Sequence, residues 1–285
     1  MKRKQHLFDY LFFLGIVILA SCNSKVDYFP STSGKTDPSS IEKDNFRAYF
    51  PLESTSYSII KSNGIDSSAV TFGTKNSFQL GQRGYCFQGD TTKSYIQYKL
   101  LTNNVFQKLT EFTISSWIKI PVATTDSRTA QLIMIDGGDN TLGSLSISLD
   151  AEFLKGYLYC DSVDIKSHEI KVDRSLIKSN EWVHVAFTYN NSTSTMALYA
   201  NGTQLKVDTC YATADLSVKL RSLKLSKLNM TKLTIGAWPQ LVSGTSSSSM
   251  KYFAGSLDEI RFWNKGFTKE AINSLYLAEL ALGRN

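Results

Sequence analysis

The stretch EWVHVAFTYNNSTSTMALYANGTQLKV, residues 181–207, decides the fold. From Trp182 to Tyr189, the set Val183, Val185, Phe187 and Tyr189 alternates with Trp182, His184, Ala186 and Thr188, the period of two that a strand requires. The second set is bulky or weakly polar too, which predicts a strand covered on both faces near a sheet centre. Asn190 to Ser194 is a polar turn cluster, and Met196 to Ala200 is a second apolar run. Asn201-Gly202 closes that run with the dipeptide that best accepts positive φ in a tight hairpin. Gln204 to Val207 then leads away, so the segment reads as an antiparallel meander. Its β-branched and aromatic density excludes a helix.

Other segments repeat the signal. Phe112 to Lys119 alternates strongly. Gln131 to Ile135, Ser144 to Asp150 and Leu154 to Cys160 are short β runs separated by Gly, Asp and Asn, the spacing of a sandwich or barrel. Taken in order, the motifs resemble the laminin-G-like, concanavalin A-like lectin/glucanase jelly-roll family. The resemblance rests on Phe46 to Leu52, Phe87-Gln88-Gly89, Phe112-Thr113 with Trp117, and Trp182-Val183-His184-Val185. It continues through Tyr199-Ala200-Asn201-Gly202, Leu233 to Trp238 and the terminal run Phe253 to Trp263. It covers about Phe46 to Leu280. It implies an all-β fold of two antiparallel sheets, with the first strand beside the last and Trp117 packed between the sheets. After Trp263, Thr268 is a helix N-cap, with Ala271, Ile272, Leu275, Ala278 and Leu280 on the expected buried stripe. No internal repeat and no second domain is evident in residues 46–285.

The N-terminal segment reads as an address. Lys2, Arg3 and Lys4 precede an apolar run from Tyr10 to Ala20, too short to span a bilayer and of signal-peptide type. The run ends in Leu19-Ala20-Ser21-Cys22, which resembles a bacterial lipoprotein processing box. Residues 1–21 are therefore expected to be a signal peptide and Cys22 the lipidated N-terminus. Residues 22–45, rich in Ser, Thr, Asp, Lys and Pro, are expected to form a flexible tether. The implied location is a bacterial cell envelope, anchored by lipid, with the outer membrane as the expected membrane. The chain has 285 residues, 42% of them apolar, and a net charge of +6. That mild charge makes no case for nucleic acid. Cys86, Cys160 and Cys210 remain after Cys22, and spacing alone selects no disulfide pair among them.

Chemistry is sparse. Glucanases of this sandwich carry two inward carboxylates from a Glu-x-Asp-x-(x)-Glu strand motif. Here the sole Glu-x-Asp, Glu42 to Asp44, lies in the tether. Asp258 and Glu259 are adjacent, so a regular strand would point them to opposite faces, with Glu259 in solvent. His184 reads as a packed strand residue with a satisfied ring nitrogen, and no catalytic residue is assigned. No cofactor is expected. Calcium is the one candidate, at Asp136-Gly137-Gly138-Asp139-Asn140, whose oxygens also suit an ordinary turn.

Sugar binding needs an exposed aromatic beside amides or carboxylates. Trp238, before Pro239 and a Ser-rich loop, is the leading candidate, ahead of Tyr211, Tyr252 and Trp263. Lys219, Arg221, Lys224, Lys227 and Lys232 form the one basic cluster and read as a guarded strand edge. The expected role is a non-catalytic module recognising a glycan or cell-surface polymer. Two alternatives stand beside it: a structural or protein-contact subunit, and a glycoside hydrolase or lyase with an unrecognised site.

Overall fold

A computed structural model describes residues 36–53, 64–122, 125–136, 145–160, 167–221, 223, 225, 230–245 and 247–283. The signal segment, Cys22, the calcium candidate from Gly137 onward, and Lys224 and Lys227 lie outside the described residues.

Strands pack in two antiparallel sheets. The first has the order β13 (Thr203–Thr209), β12 (Thr195–Ala200), β11 (Trp182–Asn190), β6 (Phe112–Lys119), β16 (Ser256–Trp263), β4 (Tyr85–Gln88) and β3 (Ser77–Leu80). The opening strand β1 (Phe46–Phe50) pairs with the closing strand β16, as a jelly roll requires. The second sheet has the order β10 (Ser167–Asp173), β9 (Phe153–Tyr159), β8 (Leu145–Leu149), β7 (Thr129–Asp136), β14 (Lys232–Ile235), β5 (Ile96–Leu100) and β2 (Ile65–Phe72). A short strand β15 (Met250–Lys251) joins β7 in parallel. A four-residue helix α1 (Pro239–Val242) follows β14, and helix α2 (Lys269–Leu282) follows β16. The expected meander is present: β11 pairs with β12, and β12 with β13. Its tight turn places Asn201 at φ 46° and Gly202 at φ 77°, the left-handed pair that an Asn-Gly hairpin supplies.

The main core lies between the sheets. Phe50 on β1 meets Tyr98 on β5 with ring centroids 5.0 Å apart, and Phe106 meets Phe262 at 5.0 Å. Gly156 on β9 leaves room for the ring of Phe187, which a Cβ there would approach to 2.7 Å. A second apolar cluster lies on the outer face of the first sheet. Tyr49, Ala186, Ala197, Tyr199 and Trp263 pack there against Phe267, Ile272 and Leu275 of the α2 segment. This second layer makes β11 buried on both faces, as its sequence predicts.

Four expectations change. Trp117 does not lie between the sheets: it is opposite His184 across β6 and β11, on the face that α2 covers. Residues 37–45 are not a free tether. Asp37 caps the turn Pro38–Ser40, and Ile41 accepts the indole N–H of Trp263 at 3.0 Å. On α2 the buried stripe is Ile272, Leu275, Ala278, Glu279 and Leu282, whereas Leu280 is 45% exposed. The 3-4-3 step from Ile272 to Leu282 selects Glu279 and turns Leu280 outward. Finally, β16 carries a bulge between Asp258 and Arg261, with Glu259 at φ 55°. The extra residue resets the alternation, so Asp258 and Glu259 share the outer side, and Glu259 is buried at 3% exposure rather than solvated.

Candidate functional site

Polar groups caught beneath α2 form a network centred on Arg261. Its guanidinium donates from Nη2 to Glu259 Oε2 at 2.6 Å and from Nη1 to Glu279 Oε1 at 2.7 Å. Tyr49 donates to the other Glu259 oxygen at 2.6 Å, and its ring centroid lies 4.1 Å from the guanidinium carbon. Trp117 donates its indole N–H to Glu279 Oε2 at 2.7 Å. Burial pushes Glu279 up to about 7 against the pull of Arg261. His184 is fully enclosed, and burial followed by the nearby Arg261 charge lowers it to about 3. Neither of its ring nitrogens has a hydrogen-bond partner among the described residues, contrary to the expected satisfied histidine. Glu279 Oε2 is 3.6 Å from its Nε2. Asp258, raised by burial and by Glu259, accepts the backbone N–H groups of Gln82 and Arg83 at 2.8 and 3.0 Å. These carboxylates are all enclosed, so they hold the fold together and do not flank an accessible substrate.

Beside this network is an open cleft of about 630 Å³. Trp117, Trp182 and Tyr276 supply its aromatic surface, Gln82, Asn180 and Asn201 its amides, and Lys119 and Glu181 its charges. The strands place these groups by register. Lys119 and Trp182 are cross-strand partners, as are Trp117 and His184, so the four outward side chains form one patch on β6 and β11. Trp117 forms the buried floor, whereas Trp182 and Tyr276 are half-buried. The last turn of α2, with Tyr276, Leu280 and Gly283, makes one wall. Asn201 accepts the backbone N–H of His184 on its Oδ1 at 2.9 Å, which leaves its amide NH2 as a donor. Two half-buried aromatics flanked by amides have the chemistry of a sugar platform.

The residues expected to bind sugar are elsewhere. Trp238 is 5% exposed, and its indole N–H is spent on Thr129 O at 2.7 Å. No open indole face remains there for stacking. Trp263 is fully buried under α2, and the Tyr252 hydroxyl donates to Leu241 O at 3.2 Å. Arg221 of the basic cluster donates to Ser192 O. A smaller cleft of about 260 Å³ near Arg174, Lys251 and Phe253 is mostly apolar. In it Arg174 clamps the carbonyls of Asp150 and Pro121 at 2.7 and 2.6 Å. Among the described residues no group of three or more His, Cys, Asp or Glu is placed to hold a metal ion. The sequence places Trp182 on a strand expected to be covered on both faces and Lys119 at the end of an alternating run, and points to neither as a site residue. Their pairing, and the helix end beside them, have no signature in the sequence.

Comparison with known proteins agrees with this architecture. Residues 90–219 match the model of the concanavalin A-like lectin/glucanases superfamily. The fold is a concanavalin A-like sandwich. No curated protein matches the chain in sequence. Among solved structures, the botulinum neurotoxin serotype G binding domain is 15% identical with a TM-score of 0.55, over 82% of this chain and 51% of that one. The serotype D ligand binding domain, in complex with N-acetylneuraminic acid, is 15% identical at 0.54, over 84% and 52%. The binding domain of Paraclostridial Mosquitocidal Protein 1 is 18% identical at 0.55, over 82% and 52%. The sandwich thus spans about half the length of each of these structures, and at such identities the likeness is one of fold.

Replacing Arg261 by Met strands two enclosed carboxylates. Urea denaturation should show a loss of about 3–5 kcal/mol at pH 8, smaller at pH 5, where Glu279 carries a proton. Glu279 gives a second outcome. Its folded value of about 7 lies above its ordinary 4.5, so the native state holds a proton that the unfolded chain has released. Stability from this group is complete below pH 4.5 and falls as pH rises through about 7. The thermal midpoint of Glu279→Gln should therefore gain on that of the wild type between pH 5 and pH 8. His184, lowered by burial, acts in the opposite sense below pH 6.5, so the comparison is read between pH 6.5 and pH 8.

Proposed function

We propose that this protein is a non-catalytic recognition module of a bacterial cell envelope, anchored by lipid at Cys22, that binds a glycan or another cell-surface polymer. The cleft of Trp117, Trp182 and Tyr276, with amides on its rim, carries this reading. Aromatic faces bind the C–H surfaces of a sugar ring while amides orient its hydroxyls. The solved structures of similar fold lend support. One holds N-acetylneuraminic acid, and another, the binding domain of botulinum neurotoxin DC, is in complex with rat synaptotagmin II. The anchor rests on the sequence alone: a basic start, an apolar run and Leu19-Ala20-Ser21-Cys22. Several acyl chains at about 0.8 kcal/mol per buried CH₂ hold a protein on a membrane stably.

Two measurements check this reading. Wild-type protein should partition with membranes and the Cys22→Ser protein with the soluble fraction; equal partition of the two would remove the anchor. On a glycan array the soluble Cys22→Ser protein should bind a defined set of saccharides. Adding Trp182→Ala should lower that binding at least tenfold without shifting the thermal midpoint. A blank array would end the glycan reading.

A further inference from the structure

We infer that the cleft selects an acidic saccharide, its carboxylate held by Lys119 while the sugar ring lies on Trp182. This inference rests on the glycan-binding reading of the cleft.

Lys119 ends β6 on the outward face and is half-buried. Three other half-buried lysines hold a carboxylate: Lys155 meets Asp150 at 2.7 Å, Lys251 meets Asp126 at 3.4 Å and Lys265 meets Glu111 at 3.2 Å, whereas Lys232, on β14, has no such partner among the described residues. Lys119 meets none among the described residues, although it lines the cleft. Two carboxylates border the cleft, the exposed Glu181 on its rim and the enclosed Glu279 behind Trp117, and neither pairs with Lys119. Glu181 pairs with Lys178 at 3.3 Å, and Glu279 is held by Arg261 and Trp117. An ammonium partly withdrawn from water without a counter-charge is costly to maintain and favours an incoming anion.

Register sets the spacing of the ligand. Lys119 and Trp182 are direct cross-strand partners, so their Cβ atoms stand about 5 Å apart, close to the width of one sugar ring. A uronic or sialic acid carries its carboxylate directly on the ring. Such a sugar can lie on the indole and reach the ammonium together, whereas a neutral sugar of the same shape leaves the charge unpaired. The amide NH2 of Asn201 and the side chain of Gln82 remain for hydroxyls.

The test is an array that pairs uronate- and sialate-bearing oligosaccharides with their carboxyl-reduced neutral counterparts, followed by titration calorimetry on the best pair. The acidic member should bind about ten- to a hundredfold more tightly, and more weakly at high salt. Lys119→Met should bring the two members to equal affinity, and Lys119→Arg should retain the preference. Thermal midpoints of both variants should match the parent, since Lys119 makes no internal ion pair. Equal affinity for the two members, or a preference that survives Lys119→Met, overturns the inference while the cleft still binds sugar and still requires Trp182. Absence of any saccharide binding removes the glycan reading and this inference with it.

Discussion

One guanidinium organises the outer face of the first sheet. Arg261 is fully enclosed between that sheet and α2, and it is shared by Glu259 from its own strand and Glu279 from the helix. An enclosed charge without partners would cost several kcal/mol. Helix and strand can therefore close over it only when both carboxylates are in place. The bulge at Glu259 belongs to the same constraint, because a regular strand would have turned that carboxylate toward the opposite sheet. Trp117 and Tyr49 complete the arrangement by donating to the oxygens that Arg261 leaves open.

That closure shapes the cleft. The first turns of α2 bury Ile272 and Leu275 against Trp263 and Ala186, while Glu279 fixes the later turn above Trp117 and His184. The helix end then stops beside Lys119 and Trp182 instead of covering them, so part of a two-faced strand pair stays open to solvent. The aromatic floor is rigid because its tryptophan is already bonded to the helix. The two partly open rings, Trp182 and Tyr276, stand at the mouth. A polar network that stabilises the fold thereby sets the width of the cleft next to it.

The same arrangement fixes what the enclosed carboxylates beneath α2 do. Two carboxylates that perform acid–base work must be open to substrate and must differ in protonation. Here they are buried and committed to an arginine, an indole and a phenol. The cleft beside them is lined by stacking surface, amides, the ammonium of Lys119 and the exposed carboxylate of Glu181.

Much of the architecture is legible in the chain itself. Alternation over Trp182 to Tyr189, the Asn201-Gly202 hairpin and the run Phe253 to Trp263 specify strands and turns locally, because side-chain period and positive φ are properties of single residues and their neighbours. The Thr268 cap is legible for the same reason. The site is not. Trp238 reads as exposed because it precedes a polar loop, yet its indole is spent on Thr129. Trp117 reads as a core residue between sheets, yet it faces the helix. Glu279 is absent from the expected buried stripe of the helix, yet it closes over Arg261. Local sequence therefore determined which segments are strands, in what order, and where they turn. Only the tertiary structure decided which face each strand offers to α2, where the bulge resets that face, and which aromatics stay in reach of a ligand. Those outcomes depend on contacts between residues far apart in the chain, such as Tyr49 with Glu259 and Trp117 with Glu279, and no local pattern encodes them.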